Sequence, residues 1–256
     1  MNTKVLFRKD LREMIVSKKV LILLGVFIFF ALSGPLSAKF EPELMKAYSN
    51  KLGPGSVIHI PAPVYTDAYK DTFNNLKQAG IIVVILLVCG TMVDEKKSGT
   101  AAFLLTKGLS RTSFLLSKVA SRMLLFTAAC AAAGIVCVLY TYLIFGEYAL
   151  PNLYLAFLLY WVYGVFVICI SMLASVLART FTQAFFTGFA AYFVISLLSL
   201  VPYLDRYLPG RLNTINQDIL SGATLPEHWF IPACISLLLS AVLVFLCQRI
   251  FQEQEL

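Results

Sequence analysis

Charge is scarce in this sequence. Lys, Arg, Asp and Glu make up 14% of its 256 residues against 59% hydrophobic ones, and the mean hydropathy is +0.80. No soluble core of this size needs so much apolar surface, so the chain reads as an integral membrane protein. Crossing about 30 Å of hydrocarbon takes roughly 20 apolar residues, and closed backbone hydrogen bonding then selects helices. A G-x-x-x-x-G-K-[ST] loop is missing, which excludes the usual phosphate cradle on this chain. The two histidines, His59 and His228, fall in polar connections and form no H-E-x-x-H pair, so no metal site is indicated. Cys89, Cys130, Cys137, Cys169, Cys234 and Cys247 all lie in apolar runs without a C-x-x-C pair, and they read as small buried hydrophobes rather than as a disulfide or zinc framework. No acidic residue stands in the middle of an apolar run, which argues against a carrier driven by an ion gradient. An intramembrane hydrolase lacks its catalytic set for the same reason. The formal charge of +7 has no basic, aromatic-studded domain to carry it, so nucleic acid is not an expected partner; charge asymmetry across a bilayer explains it instead.

What is present is a succession of long apolar stretches. Residues 4–19 carry Phe7, Leu11, Met14 and Ile15 at helical spacing, with Arg8, Lys9, Arg12 and Lys18 on the other faces. That is the pattern of an interfacial helix lying flat with its cations toward lipid headgroups. Lys9 and Glu13 stand at i, i+4 and add a little support. A cleaved signal peptide is the rival, but a cut after Ala38 would find Leu36 where a small residue is wanted. Six spans are predicted at about 20–38, 66–93, 119–145, 153–177, 181–201 and 230–247. Pro42, Pro54, Pro61 and Pro63 with Gly53 and Gly55 mark the first connection as a loop with at most one short helix. Thr66 is a plausible N-cap for a second helix about 42 Å long, whose first turns must project from the hydrocarbon. Ala129 with Ala133, and Cys130 with Gly134, put small residues four apart, which permits close helix contact. Tyr154, Tyr160, Trp161 and Tyr163 include rings below the interface, where their polar tips need partners. After the break at Pro209 and Gly210, Leu212, Ile215 and Ile219 space a short amphipathic helix that would rest on the outer surface within 202–229.

One polar, basic interruption is long enough to fold: 94–118, DEKKSGTAAFLLTKGLSRTSFLLSK. Apolar Phe103, Leu104 and Leu105, then Phe114, Leu115 and Leu116, predict two short amphipathic helices with a turn at Lys107 and Gly108. Glu95, Gly99 and Thr100, followed by Leu104, Leu105, Leu109, Ser110, Arg111 and Lys118, resemble the E-x-x-x-G-T … L-L … S-R … K pattern of ABC-2 type transporter permeases. The family commonly has Pro just before the residue leading into Ser-Arg, where this chain has Gly108. The resemblance implies an all-α integral membrane protein: a single ABC-2 type transmembrane domain over 1–256, with an interfacial elbow helix at 1–19, a cytoplasmic coupling helix within 94–118 and external re-entrant helices before the last span. It further implies a permease without its own ATPase site or cofactor, driven by two copies of an ATP-binding cassette subunit that carry ATP and Mg. An exporter of amphipathic or hydrophobic cargo (a peptide, lipid or drug) is the expected function. A second permease chain, as homodimer or heterodimer, would complete the path among membrane lipids. Glu95, Gly99, Thr100, Phe103, Leu104, Arg111 and Lys118 are the expected ATPase-coupling residues, with Glu95 and Arg111 locking onto the ATPase and Phe103 with Leu104 filling its groove.

Cation placement supports one orientation. Fourteen Lys and Arg fall in the segments assigned inside and seven in those assigned outside, so both termini are expected in the cytoplasm; a bacterial plasma membrane is the expected location. On the second span Lys70, Asn74 and Lys77 share a stripe that would face an outer vestibule or simply solvent. On the fifth, Phe181, Phe185, Phe189 and Phe193 form an i, i+4 stripe that would offer cargo a greasy track or pack against lipid and neighbouring helices. Two rival functions remain open from the sequence: a membrane interaction or immunity protein binding a peptide through its external loops, and a stand-alone channel.

Overall fold

A computed structural model describes residues 3–49, 63–199, 201–223 and 225–254; the expectations resting on Gly53, Pro54, Gly55, His59 and Pro61 lie outside them. The described chain is helical throughout, with no strand among the described residues. Its elements are α1 (Thr3–Val16), α2 (Lys19–Ser49), α3 (Tyr65–Asn75), a π turn (Leu76–Gly80), α4 (Ile81–Lys97), α5 (Thr100–Thr106), α6 (Arg111–Phe145), α7 (Leu153–Leu177), α8 (Phe181–Leu198), α9 (Pro202–Asp205), α10 (Arg211–Leu220) and α11 (Phe230–Glu253). Among the described residues, six helices are long and apolar enough to cross a membrane: α2, the continuous α3–π–α4 rod, α6, α7, α8 and α11.

Several spans are longer than their apolar runs suggest. α2 continues through Pro35 and Pro42, because a proline costs a membrane helix one donor but does not stop it where neighbouring helices hold the rod. The second rod begins at Tyr65 with Val64 as N-cap, not Thr66, since the Asp67 carboxylate accepts from the Val64 N–H at 3.3 Å. At the third span only the first of the two expected short helices is separate. Ser110 caps α6 by accepting from the Ser113 N–H at 3.2 Å, and nothing between Arg111 and Val119 breaks the helix, so 114–116 belong to the span itself.

α7 sits at the centre. It packs against α4, α6, α8, α10 and α11, and 72% of its most apolar window is buried, against 11% for α8 and 22% for α11. This explains why its run from Leu159 to Val176 is apolar on every face. Its polar tips find the partners they need: Tyr160 Oη donates to the Leu76 carbonyl at 3.1 Å, and Trp161 Nε1 to Thr127 Oγ1 at 2.8 Å. Tyr154 by contrast is exposed.

Two close approaches set the remaining packing. A Cβ on Gly34 would lie 2.7 Å from the Thr72 N and 2.9 Å from the Ala68 carbonyl, which are backbone atoms of α3 that no rotamer change can move. Gly34→Ala is therefore expected to lose about 1–3 kcal/mol by prising α2 from α3, read as a lower unfolding midpoint in detergent. Ala129 and Ala133 are buried as expected, whereas Gly134 faces Phe157 of α7. α10 departs from the outer-surface role: Leu212, Ile215 and Ile219 are buried, and Asn216 Nδ2 donates to the Ala156 carbonyl of α7 at 3.0 Å. Its apolar face covers protein rather than lipid.

Candidate functional site

α5 lies between the end of α4 and the start of α6. Gly99 and Gly108 bracket it at φ +69° and +81°, left-handed conformations that glycine adopts without a Cβ clash. The chain therefore turns sharply into and out of a seven-residue helix. Ala101 and Leu104 face the body and are buried, while Phe103 stands 57% exposed with Lys107 Nζ 4.4 Å from its ring centre. Of the two expected knobs, Leu104 thus anchors the helix and Phe103 alone is presented. Thr100 stays local, its hydroxyl 2.8 Å from Ser98 Oγ.

The flanks of α5 carry an ion network. Lys118, only 1% exposed, places its ammonium 2.8 Å from Asp10 Oδ1, 3.6 Å from Glu13 Oε2 and in contact with Glu95 Oε1. Ser117 Oγ donates to the other Asp10 oxygen, and Lys9 reaches Glu13 at 3.8 Å and Glu95 at 3.9 Å. Oxygens of Asp10, Glu13 and Glu95 all lie within 4.8 Å of one another, a spacing that would suit a divalent cation, but the Lys118 ammonium already supplies the positive charge among them. Glu95 and Lys118 are thus turned inward and engage each other and α1. They do not reach out of the molecule as the expected docking contacts would.

The same region caps two other helices. Arg111 Nη1 donates to the carbonyls of Phe251 and Gln252, both at 2.9 Å, and of Gln254 at 2.6 Å. This places a cation at the C-terminus of α11, where the helix dipole favours it. Lys96 Nζ and Gln254 Nε2 both donate to the Val176 carbonyl at the end of α7. Phe114 stacks on Phe251 at 5.9 Å. A short exposed helix thus has flanking residues joined to α1, α7 and α11 at one end of the bundle. Arg111→Ala is expected to release the last turn of α11, seen as faster amide exchange over 248–253 with the rest of the chain unchanged.

A family model described as ABC-2 family transporter protein matches residues 4–203. The chain belongs to the ABC-2 family. It is 22% identical over 216 residues to the uncharacterized transmembrane protein YxlG of Bacillus subtilis (strain 168), covering 84% of this chain and 83% of that one. As an ABC-2 permease it is a multi-pass membrane subunit of a transporter.

Elsewhere in this ABC-2 permease the expected path residues are not gathered into one site. Lys70 pairs with Asp67 at 3.1 Å, and Asn74 Oδ1 accepts from Gln217 Nε2 of α10 at 3.1 Å. The space left beside Lys77, Asn213 and Asn216 is about 10 Å³, no more than one water requires. α10 therefore lies beside Asn74 and Lys77, while Lys70 stays part-exposed. Phe185, Phe189 and Phe193 form a stacked ladder on α8, with ring centres 5.9 and 6.4 Å apart. An apolar groove of about 740 Å³ lies between α6 and α7, lined by Cys130, Gly134, Val138, Phe157 and Trp161 among others.

Sequence reasoning missed Asp10, Glu13, Lys96, Arg122 and Gln254. Asp10 carried a readable signal: it stands between Leu6 and Met14 at i, i+4, and that stripe, rather than Phe7–Leu11–Ile15, is the buried one. A carboxylate on a buried face requires a cation opposite it.

Proposed function

We propose that this permease is the membrane half of an ATP-driven exporter and that a separate ATP-binding cassette subunit docks on α5 and moves it. The observation that carries the reading is the contrast on that helix. Phe103 is exposed, Leu104 is anchored, and the neighbouring residues Glu95, Lys96, Arg111 and Lys118 bind the ends of three other helices. A push on α5 is therefore delivered to α1, α7 and α11 together, because packed interiors transmit displacement rather than absorb it. In this reading the α5 end, with both chain termini, faces the cytoplasm, where ATP is available.

The cargo path forms between two permease chains. α7 fills the centre of the single bundle, while α8 and α11 leave most of their apolar surface unburied, which a second copy or a sister permease would cover. The apolar groove between α6 and α7, whose Thr127 and Trp161 satisfy each other, supports an amphipathic or hydrophobic cargo. Export, rather than uptake, is carried over from the family resemblance.

The test is isolation of the tagged chain from its native membrane. An ATPase is expected to co-purify, and Phe103→Cys is expected to crosslink to it. Cargo movement by the purified chain alone, or no ATPase recovered, would overturn the proposal in favour of a channel or a peptide-binding membrane protein.

A further inference from the structure

Two buried polar atoms on facing helices have no hydrogen-bond partner among the described residues: Glu95 Oε2 on α4 and Arg122 Nη1 on α6. They stand one rung apart. α4 and α6 run antiparallel on either side of α5. Glu95 contacts Lys118, while Thr91, one turn back along α4, accepts from Arg122 Nε at 3.1 Å. Arg122 is in turn four residues beyond Lys118, so Glu95–Lys118 and Thr91–Arg122 are successive rungs at i, i+4 spacing.

Charge is divided unevenly between the rungs. Lys118 meets three carboxylates, whereas Arg122, 6% exposed, has one neutral hydroxyl as its hydrogen-bond partner among the described residues, although the charges of Glu13, Asp10, Glu95 and Asp94 act on it. A buried guanidinium with a single neutral partner is poorly compensated. Glu95 is the carboxylate that Lys118 can release, because Asp10 and Glu13 of α1 would still hold the ammonium.

We infer that Arg122 is a second seat for Glu95, so that α4 and α6 have two registers one helical turn apart: Glu95 on Lys118 in the register described, Glu95 on Arg122 in the other. The inference deepens the reading that α5 delivers a push, for it names the helix pair that responds. Sliding α6 one turn toward the α5 end, about 5 Å, carries Arg122 to the level of Glu95. Packed helices move between discrete positions of this kind rather than continuously. α1 packs on α6 and travels with it, which keeps Asp10 and Glu13 on Lys118. The link between the two helices is α5, bracketed by Gly99 and Gly108, so displacement of α5 changes their relative height. Arg122 acts here as a positioning residue.

The test uses the full chain alone in lipid nanodiscs, with spin labels at Lys97→Cys and Leu139→Cys in a Cys234→Ser background. Both labelled positions are exposed, and they lie far apart along the bundle axis. Lys118→Met, which removes the first seat, is expected to shorten the label distance by about 5 Å. Adding Arg122→Gln is expected to restore the original distance, and Arg122→Lys to keep the short one. Asp10→Asn with Lys118→Met lowers the stranded charge and is read in the same way if the single variant does not fold. An unchanged distance in these Lys118 variants, as a water bridging Glu95 and Arg122 in place would give, overturns the inference. So does a shift that survives Arg122→Gln. No nucleotide or second subunit enters the experiment, so its failure and failure of the ATPase reading remain distinguishable.

Discussion

Lys118→Met is expected to destabilise the protein by about 3–5 kcal/mol, the range for removing one side of a buried, hydrogen-bonded ion pair. The reason is geometric. The Lys118 ammonium is buried among Asp10, Glu13 and Glu95, and without it the two buried carboxylates, Asp10 and Glu95, lose their principal cation. Lys9 offers a control, because it is 40% exposed and its contacts are 3.8 and 3.9 Å. Lys9→Met should therefore cost about 1 kcal/mol or less. Urea or thermal unfolding of the two variants in the same detergent checks the contrast. Asp10→Asn combined with Lys118→Met should recover part of the loss, since groups in one network do not add independently. Equal losses for Lys9 and Lys118 would remove the network from any structural role.

If an ATP-binding cassette subunit docks on α5 as proposed, Phe103→Asp is expected to leave folding intact and weaken that association by about 30-fold or more. A protruding aromatic on a rigid helix is the kind of residue whose loss costs an interface about 2 kcal/mol or more, and each 1.4 kcal/mol is about tenfold in affinity. Phe103 is exposed, so its replacement disturbs no packing within the chain. Leu104→Asp is the contrasting change, because Leu104 is buried and a carboxylate there would lift α5 from the body. Affinity of the isolated ATPase for each variant, with far-ultraviolet circular dichroism as the folding control, separates the two effects. Wild-type affinity for Phe103→Asp would show that the ring faces something else.

The six spans were legible because each is a run of apolar residues long enough to cross hydrocarbon, and the break at Gly108 was legible because glycine marks a left-handed turn. Span lengths were harder to read. Pro42 signals a loop in water, yet in α2 the helix runs on through it, and the polar ends of α11 hide a helix that Arg111 caps from another part of the chain. The short helix within 94–118 was legible from its apolar pattern, but the direction of its flanking side chains was not. Glu95, Lys118 and Arg111 look like a surface from the sequence, since charged residues near a turn usually meet solvent. Here Asp10 and the open carbonyls of α11 are close enough to turn them inward. Nothing local in 94–118 reveals that Asp10, more than eighty residues earlier, is the neighbour. The surroundings of Asn74 and Lys77 were hidden for the same reason: α10, which lies beside them, comes from a distant stretch.

The wide turn at Leu76–Gly80 has a mechanical consequence. Its geometry closes five residues on, with the Ile81 N–H reaching the Leu76 carbonyl and Tyr160 supporting the same oxygen. The extra residue makes this the place where the long second rod can swivel. α3, pinned beneath α10 through Asn74, can stay still while α4 rotates below it. In the proposed mechanism this joint lets the α4 half of the rod follow α5 while the α3 half keeps its seat against α10.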